Sequence, residues 1–269
     1  MAKKSKSTSR RILNVIPSPD QHKDWRYENA VEAGVAAGAA ATFPQSKDLR
    51  ESWWDIGDQL DTGSCVGWAS GDAVLRWHFV KANRLAKSEK MSPRFLWMAS
   101  KETDQYTTYP TTMIESSGTW LKAALEVARK FGAVQMGTLP FRPEQLYKGS
   151  QAAFSALAAQ YKIISYFNLS AVAGQDPFNV WRDWIANHGP ILTRFEVDAT
   201  WDNVTSSGNL DVYQPTTTRG GHAVAFVGYT ASRFIIRNSW GTTWGDKGYG
   251  YASLAYAKAA FAEAYGVTV

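Results

Sequence analysis

The amino-acid sequence predicts an α+β protein with a helical first half and a sheet-rich second half. Two observations lead to this prediction. Over residues 119–131, apolar side chains recur at helical spacing, and Gly132 follows where such a helix would stop. From Ile191 the pattern becomes that of strands, with alternation or short apolar runs at 191–198, 222–229 and 233–240. Helices followed by strands indicate two packed halves, because each element must bury its apolar side against another layer.

Two more helices are predicted, and one of them begins at the cysteine. The run that starts at Cys65 places Trp68, Leu75 and Phe79 near one helical face, with Ser64 in position to cap its amino end. Another helix is predicted over residues 178–188. Cys65 would therefore lie at a helix N-terminus, where the helix dipole stabilises a negative charge.

The charge of the chain is concentrated at its amino end. The net charge is +5, and residues 1–11 hold five basic residues and no acidic one, so the remainder is formally neutral. This distribution indicates no nucleic-acid-binding surface on the body of the protein, whereas the basic tail could bind an acidic partner. Irregular and Ala/Gly-rich sequence follows the tail, and we divide the chain into an N-terminal extension, residues 1–42, and a main domain, residues 43–269.

The amino end also bears on where the protein is found. It starts with positive charge but lacks the apolar run of a secretory signal, and no stretch of about 18 apolar residues occurs anywhere. We therefore expect no membrane association, and a location that is cytoplasmic or reached by a non-classical export route.

Cys65 is the only cysteine of the 269 residues. A single cysteine forms no internal disulfide and completes no structural zinc site, and the four histidines show no metal-ligand spacing, so we expect neither metal nor cofactor. A lone cysteine is most commonly a small buried apolar residue. A catalytic interpretation therefore depends on its neighbours.

Three other residues give Cys65 a chemical context. Gln59 lies six positions before it, His222 opens an apolar strand, and Asn238 follows His222 by 16 residues in the sequence RNSWG. Taken singly, His222 could be a strand-end histidine and Asn238 a turn residue. Together they provide a nucleophile, a base, a group that orients the base and a donor for an oxyanion, which is the set that nucleophilic amide hydrolysis requires.

These segments resemble the papain family of cysteine peptidases, over roughly residues 43–256. The similar sequences are DQLDTGSCVGWA, GGHAVAFVGY and the NSWG region, and they extend over Trp240, Gly241, Trp244, Gly245, Gly248 and Tyr249. The resemblance implies a two-lobe fold with the active site in the cleft between a helical lobe and a sheet-rich lobe. It implies a peptidase that acts on peptides or proteins through a thioester, with Cys65 as nucleophile and His222 as base. Asn238 would orient His222, and Gln59 would donate to the oxyanion together with the Cys65 backbone N–H.

The resemblance also assigns substrate contacts. Gly118, Trp120 and Leu121 would line the cleft near the second residue on the acyl side, and Gly221 would line it beside His222. Trp244 would cover the contact between Asn238 and His222. Gly118 stands alone where a double glycine is common in the family, which leaves the binding of the substrate backbone open.

The sequence leaves several functions and one role open. The same triad could serve an isopeptide-cleaving or acyl-transferring enzyme, or the fold could be an inactive binding scaffold. Residues 1–42 are too short for the family's long inhibitory propeptide. We expect this extension to be dispensable for the catalytic fold, with packing or partner binding favoured over coverage of the cleft.

Overall fold

The computed structural model describes residues 11–38, 42–102, 118–142, 144–170 and 176–269. Residues 1–10, which make up nearly all of the basic tail, lie outside the described residues. The helices are α1 (Tyr27–Glu32), α2 (Cys65–Gly67), α3 (Arg76–Lys81), α4 (Pro93–Glu102), α5 (Leu121–Lys130), α6 (Gln151–Ala159), α7 (Pro177–Asn187), α8 (Ala199–Asp202) and α9 (Leu254–Ala260). A π-helical stretch, Trp68–Leu75, joins α2 to α3 without interruption.

The strands form one eight-stranded sheet. They are β1 (Lys47–Asp48), β2 (Ser165–Asn168), β3 (Ile191–Val197), β4 (Asn209–Leu210), β5 (Gly220–Tyr229), β6 (Arg233–Arg237), β7 (Tyr249–Ser253) and β8 (Phe261–Thr268). Their order is β2-β8-β3-β5-β6-β7-β4, and β1 pairs with β5. The pairing is antiparallel except between β4 and β7. His222 pairs with Phe195 of β3, whereas β6 pairs with β5 only from Ala225 onward, so His222 lies just before the part of β5 that has a neighbour on both sides.

The predicted helices and strands are largely present. α5 ends just before Gly132, whose φ of +100° is the left-handed conformation that terminates a helix. β3 and β6 fall within two of the predicted strand segments, and β5 covers the third, 222–229, but begins two residues earlier at Gly220. The helical run from Cys65 is also present, but Ser64 makes no capping hydrogen bond with its side chain. Its hydroxyl instead lies 2.6 Å from the Thr62 hydroxyl, so Ser64 occupies the predicted N-cap position but does not cap the helix with its side chain.

Residues 11–38 pack against the body of the protein. Tyr27, on α1, is 1% exposed, and its hydroxyl donates to the Asp183 carboxylate on α7 at 2.5 Å. Arg26 forms a bridge with Asn168 of β2, and the Asn168 amide donates to the Asp24 carboxylate at 3.0 Å. This part of the N-terminal extension therefore contributes buried surface to the fold. Among the described residues, no helix combines the length and apolarity needed to cross a membrane.

Candidate active site

Cys65 is the first residue of its helix, and this helix packs beside strand β5. Its side chain is fully buried, and three backbone N–H groups oppose the effect of burial on the pKa of the thiol. They are those of Ala223, the residue after His222, and of Cys65 and Val66 at the open end of the helix. Such donors favour a thiolate, and the sequence positions them because the helix begins at the cysteine itself.

His222 and Asn238 are brought together by neighbouring strands. His222 is on β5 and Asn238 follows β6, and the His222 Nε2 atom lies 2.8 Å from the Asn238 Oδ1 atom. The same Oδ1 accepts the backbone N–H of Ser239 at 2.8 Å, which identifies it as the oxygen. Nε2 therefore carries the proton of the neutral ring. Nδ1 is buried without a hydrogen-bond partner among the described residues, and its lone pair is available to accept a proton.

Gln59 is held beside this site by residues that follow Asn238. Its backbone N–H donates to the Ser239 carbonyl at 2.8 Å, and its side-chain oxygen accepts the Ser239 hydroxyl at 2.9 Å. Its amide nitrogen donates to the Thr62 carbonyl at 2.9 Å. An amide nitrogen has two hydrogens, so one remains for a second acceptor.

Aromatic rings surround the imidazole. The Trp240 ring centroid lies 4.9 Å from that of His222, and Trp201 meets His222 edge-on at 5.6 Å. Trp244 stacks on Trp201 at 5.1 Å and donates its ring N–H to the Trp201 carbonyl at 2.9 Å. The rings against His222 are therefore those of Trp240 and Trp201, and Trp244 lies one ring further out. The sequence had assigned the covering role to Trp244.

Residues 11–18, which we call the cleft segment, run across this site. The Arg11 guanidinium donates to the Asp58 carboxylate at 2.7 Å, to the Leu60 carbonyl at 2.5 Å and to the Trp240 carbonyl at 3.3 Å. The Val15 N–H donates to the Gly221 carbonyl at 3.2 Å, and the Val15 carbonyl accepts from Arg194 Nε at 3.2 Å. The segment is thus bound at both ends of the site.

Two glycines allow the cleft segment to approach so closely. A Cβ atom at Gly118 would lie 2.2 Å from the Asn14 carbonyl oxygen, and one at Gly221 would lie 2.2 Å from that of Val15. Both distances are far below van der Waals contact. These two positions, which the sequence assigned to substrate binding, therefore contact a peptide backbone here, although the peptide belongs to the same chain.

Other predicted substrate contacts lie near the far end of the segment. Leu121 is completely buried in the hydrophobic core while the segment is in place. Trp120 is half-buried and lines a surface cavity of about 320 Å³ together with Pro19, Asp20 and Lys122. The backbone N–H of Ser18 donates to the Glu263 carboxylate at 3.2 Å. Burial raises the pKa of Glu263.

Burial also sets the protonation of the cysteine and the histidine. It raises the pKa of the Cys65 thiol to about 11, although the backbone N–H groups oppose it. Burial is also the main reason that the pKa of His222 is lowered to about 4, and the nearby guanidinium of Arg11 contributes to this shift. With the cleft segment in place, both groups are therefore neutral at pH 7. The described residues contain no cluster of three or more His, Cys, Asp or Glu side chains that would hold a metal ion.

Comparison with known proteins decides the family. The model of the papain family of cysteine proteases matches residues 43–264. The chain belongs to the papain family of cysteine proteases. The cathepsin B-like CP3 of Giardia intestinalis is 27% identical over 235 residues, which cover 82% of this chain and 72% of that protein. Peptidase 1 of Psoroptes ovis is 60% identical, but over 37 residues that cover only 12% of each protein.

The fold of a solved papain-type protease is also similar. Xylellain, a cysteine protease from Xylella fastidiosa, superposes with a TM-score of 0.74 at 22% identity, and the match covers 96% of both chains. Together with the family match, this similarity identifies the helices and the sheet of the present chain as the papain-like α+β fold. The chain is a cysteine-type peptidase, as the sequence predicted.

Two residues of this papain-family site were missed by the sequence argument. Arg194 is 6% exposed on β3 and binds the Val15 carbonyl, and Trp201 packs on His222 from α8. Arg194 did leave a signal, because an arginine within the apolar strand ILTRFEV must find a partner if it is buried. Trp201 gives no such signal in the sequence, since its contact with His222 depends on how α8 packs against β5.

Proposed function

We propose that Cys65, His222, Asn238 and Gln59 form the catalytic machinery of this peptidase, and that the cleft segment keeps it latent. The observation that carries the proposal is the position of His222. Its protonated Nε2 faces Asn238, and its unpartnered Nδ1 remains for the thiol of Cys65.

Each residue has a role that follows from this geometry. His222 Nδ1 takes the thiol proton, and the resulting thiolate attacks the carbonyl carbon of a peptide bond. The second amide hydrogen of Gln59 and the Cys65 backbone N–H would stabilise the oxyanion. His222 then gives its proton to the leaving amine as the thioester forms, and water activated by the same ring hydrolyses the thioester. Asn238 holds the ring without adding a charge that would compete with the thiolate.

Latency is supported by the contacts of the cleft segment. Its backbone occupies the space between Gly118 and Gly221, where we place the substrate, and Arg11 closes the other end against Trp240. The segment also keeps water away, and this burial holds the thiol and the imidazole neutral. Removal of the segment would admit water and allow the thiolate–imidazolium pair to form.

The direction of the segment supports its role as a block and not a substrate. It runs from Arg11, beside Trp240, to Ser18, beside Glu263. We place the acyl side of the substrate near Gly118 and Trp120, so a substrate would run the opposite way, toward Trp240. A reversed backbone does not present its carbonyl groups to Cys65 and Gln59 in the substrate orientation, so it binds without being cleaved.

The substrates are peptides or proteins, and no observation favours the isopeptide-cleaving or acyl-transferring alternatives. Turnover of a fluorogenic peptide amide by a chain that begins at Pro19 tests the proposal. Cys65→Ala should abolish turnover, because no second thiol exists. His222→Ala should be nearly as damaging. Gln59→Ala should retain activity, lowered about 100-fold, because one oxyanion donor is worth roughly 3 kcal/mol. Full activity of Cys65→Ala would refute the proposal.

A further inference from the structure

A buried ion pair joins the helix of the nucleophile to the strand of the orienting asparagine. Asp72 lies seven residues after Cys65 in the same continuous helix, and Arg237 directly precedes Asn238 at the end of β6. Arg237 Nη2 donates to Asp72 Oδ2 at 2.8 Å. The side chains are 1% and 2% exposed, so this contact is shielded from water.

Both partners are fixed by further contacts. The Arg76 guanidinium donates to the other carboxylate oxygen of Asp72 at 3.3 Å, and the Asp72 carbonyl accepts the ring N–H of Trp54 at 3.1 Å. Arg237 Nη2 also donates to the Asp55 carbonyl at 2.5 Å, and its guanidinium carbon lies 5.0 Å from the centre of the Trp54 ring. With both carboxylate oxygens bonded and the arginine stacked, neither side chain can move alone.

The location of the pair distinguishes it from an ordinary stabilising contact. Asp72 is in the π-helical stretch, where the wider turn changes the direction in which side chains point. Asn238 follows Arg237 directly and holds His222 Nε2 at 2.8 Å. A shift of Arg237 relative to the helix therefore shifts Asn238, and with it the angle at which the imidazole meets Cys65.

We propose that Asp72 and Arg237 are positioning residues, whose ion pair sets the orientation of His222 through Asn238. This inference rests on the proposed function, in which His222 is the base that Asn238 orients. A contact that served stability alone would lower the melting temperature without changing the state of the His222 ring. The two roles can therefore be separated by a measurement on the ring itself.

The test is ¹⁵N NMR of the histidine rings in the full chain, with the His222 signals assigned by comparison with His222→Gln. The unmodified chain should show one His222 tautomer at pH 7, with Nε2 protonated and Nδ1 unprotonated. Asp72→Asn keeps the shape of the side chain but removes its charge. It should move both nitrogen shifts toward the average of two tautomers. It should also lower the residual peptide hydrolysis of the latent full chain at least about tenfold, since small misplacements of reacting groups are costly.

Asp183→Asn is the matched control. Asp183 is also 1% exposed, but it lies on α7, and among the described residues its side chain hydrogen-bonds to Tyr27 and Asn187, which are not part of the site. It should lower the melting temperature and leave the His222 signals unchanged. The NMR measurement needs no catalysis, so it tests this inference even if no variant hydrolyses peptides. An absence of hydrolysis in every variant would refute the proposed function, not this inference.

Two results would overturn the inference. One is an unchanged single tautomer in Asp72→Asn, which would make the pair a stabilising contact only. The other is an equal change in Asp72→Asn and Asp183→Asn, which would show a general response to lost stability. If Asp72→Asn does not fold, Arg237→Lys takes its place, because it keeps the charge but loses the planar guanidinium that lies over the Trp54 ring. An unchanged His222 spectrum in that variant would equally overturn the inference.

Discussion

Deletion of residues 1–18 should convert Cys65 from an inert thiol to a reactive one. With the cleft segment in place, burial raises the pKa of the thiol to about 11, so only about one molecule in 10⁴ carries a thiolate at pH 7. In the open cleft, a pKa near ~7, as for other activated cysteines, would make about half of the molecules thiolate. The thiolate population would then rise by a factor of several thousand.

The rate of alkylation should rise less than the population does. A thiolate of lower pKa is a weaker nucleophile, and a Brønsted coefficient of about 0.4–0.5 over about four pKa units lowers its reactivity roughly 40- to 100-fold. The product of the two factors is an increase of about 50- to 100-fold, before the better access of the reagent is counted. Reaction with iodoacetamide at pH 7, followed by intact mass, measures this rate at the single cysteine.

The matched control is a chain that lacks only residues 1–10. It loses most of the basic tail but keeps Arg11 and its contacts with Asp58 and Trp240, so Cys65 should stay as slow as in the full chain. Equal alkylation rates in the full chain and in the chain without residues 1–18 would refute the latency argument. A fast reaction in the control would instead assign the block to the tail.

Three further results are expected. Arg11→Ala should raise peptide hydrolysis by the full chain about fivefold, because the hydrogen bonds that this partly exposed guanidinium makes stabilise the bound segment by roughly 1 kcal/mol. Arg11→Lys should have a smaller effect, and an unchanged rate in Arg11→Ala would show that Arg11 does not hold the segment. The contribution of His222 to the free energy of unfolding should fall by about 3 kcal/mol as the pH falls from about 6.5 to about 4, because the folded chain lowers the pKa of His222 to about 4 and the unfolded chain binds the proton first. Burial also lowers the pKa of His78, to about 3, so His78 adds a loss of its own, and denaturant titrations should show a loss in His222→Gln that is about 3 kcal/mol smaller than in the full chain. A chain that begins at Thr42 should melt well below one that begins at Pro19, because it lacks buried Tyr27 and its bond to Asp183, and equal melting temperatures would show that this packing adds no stability.

The parts of the fold that sequence predicts are those set by local patterns. The position of α5 follows from its apolar spacing, and its end follows from Gly132, which adopts a positive φ. β5 is predicted from its own apolar run, whichever strands it pairs with. The pairing of β1 with β5 was not predictable, because two residues at 47–48 carry no periodicity. Pairing over such a separation is decided by tertiary packing.

The same division applies to the site. Cys65, His222 and Asn238 were predicted because their order and spacing resemble a known family, and the structure places His222 and Asn238 in contact. The path of the cleft segment could not be read from its composition, since Arg11 and Val15 acquire meaning only through Asp58 and Gly221, which are distant in sequence. The preference for packing or partner binding over coverage of the cleft therefore rested on composition alone, with no local signal for the path of residues 11–18.

The central claim is that Cys65 attacks the carbonyl of the substrate and carries the acyl group. The most direct test is intact mass after acid quench of a chain that begins at Pro19, mixed briefly with a peptide ester. One acyl group should be added per chain and be located on Cys65 by peptide mapping, and Cys65→Ala should show neither adduct nor turnover. Turnover that persists in Cys65→Ala, with no acyl group on the unmodified chain, would contradict the account.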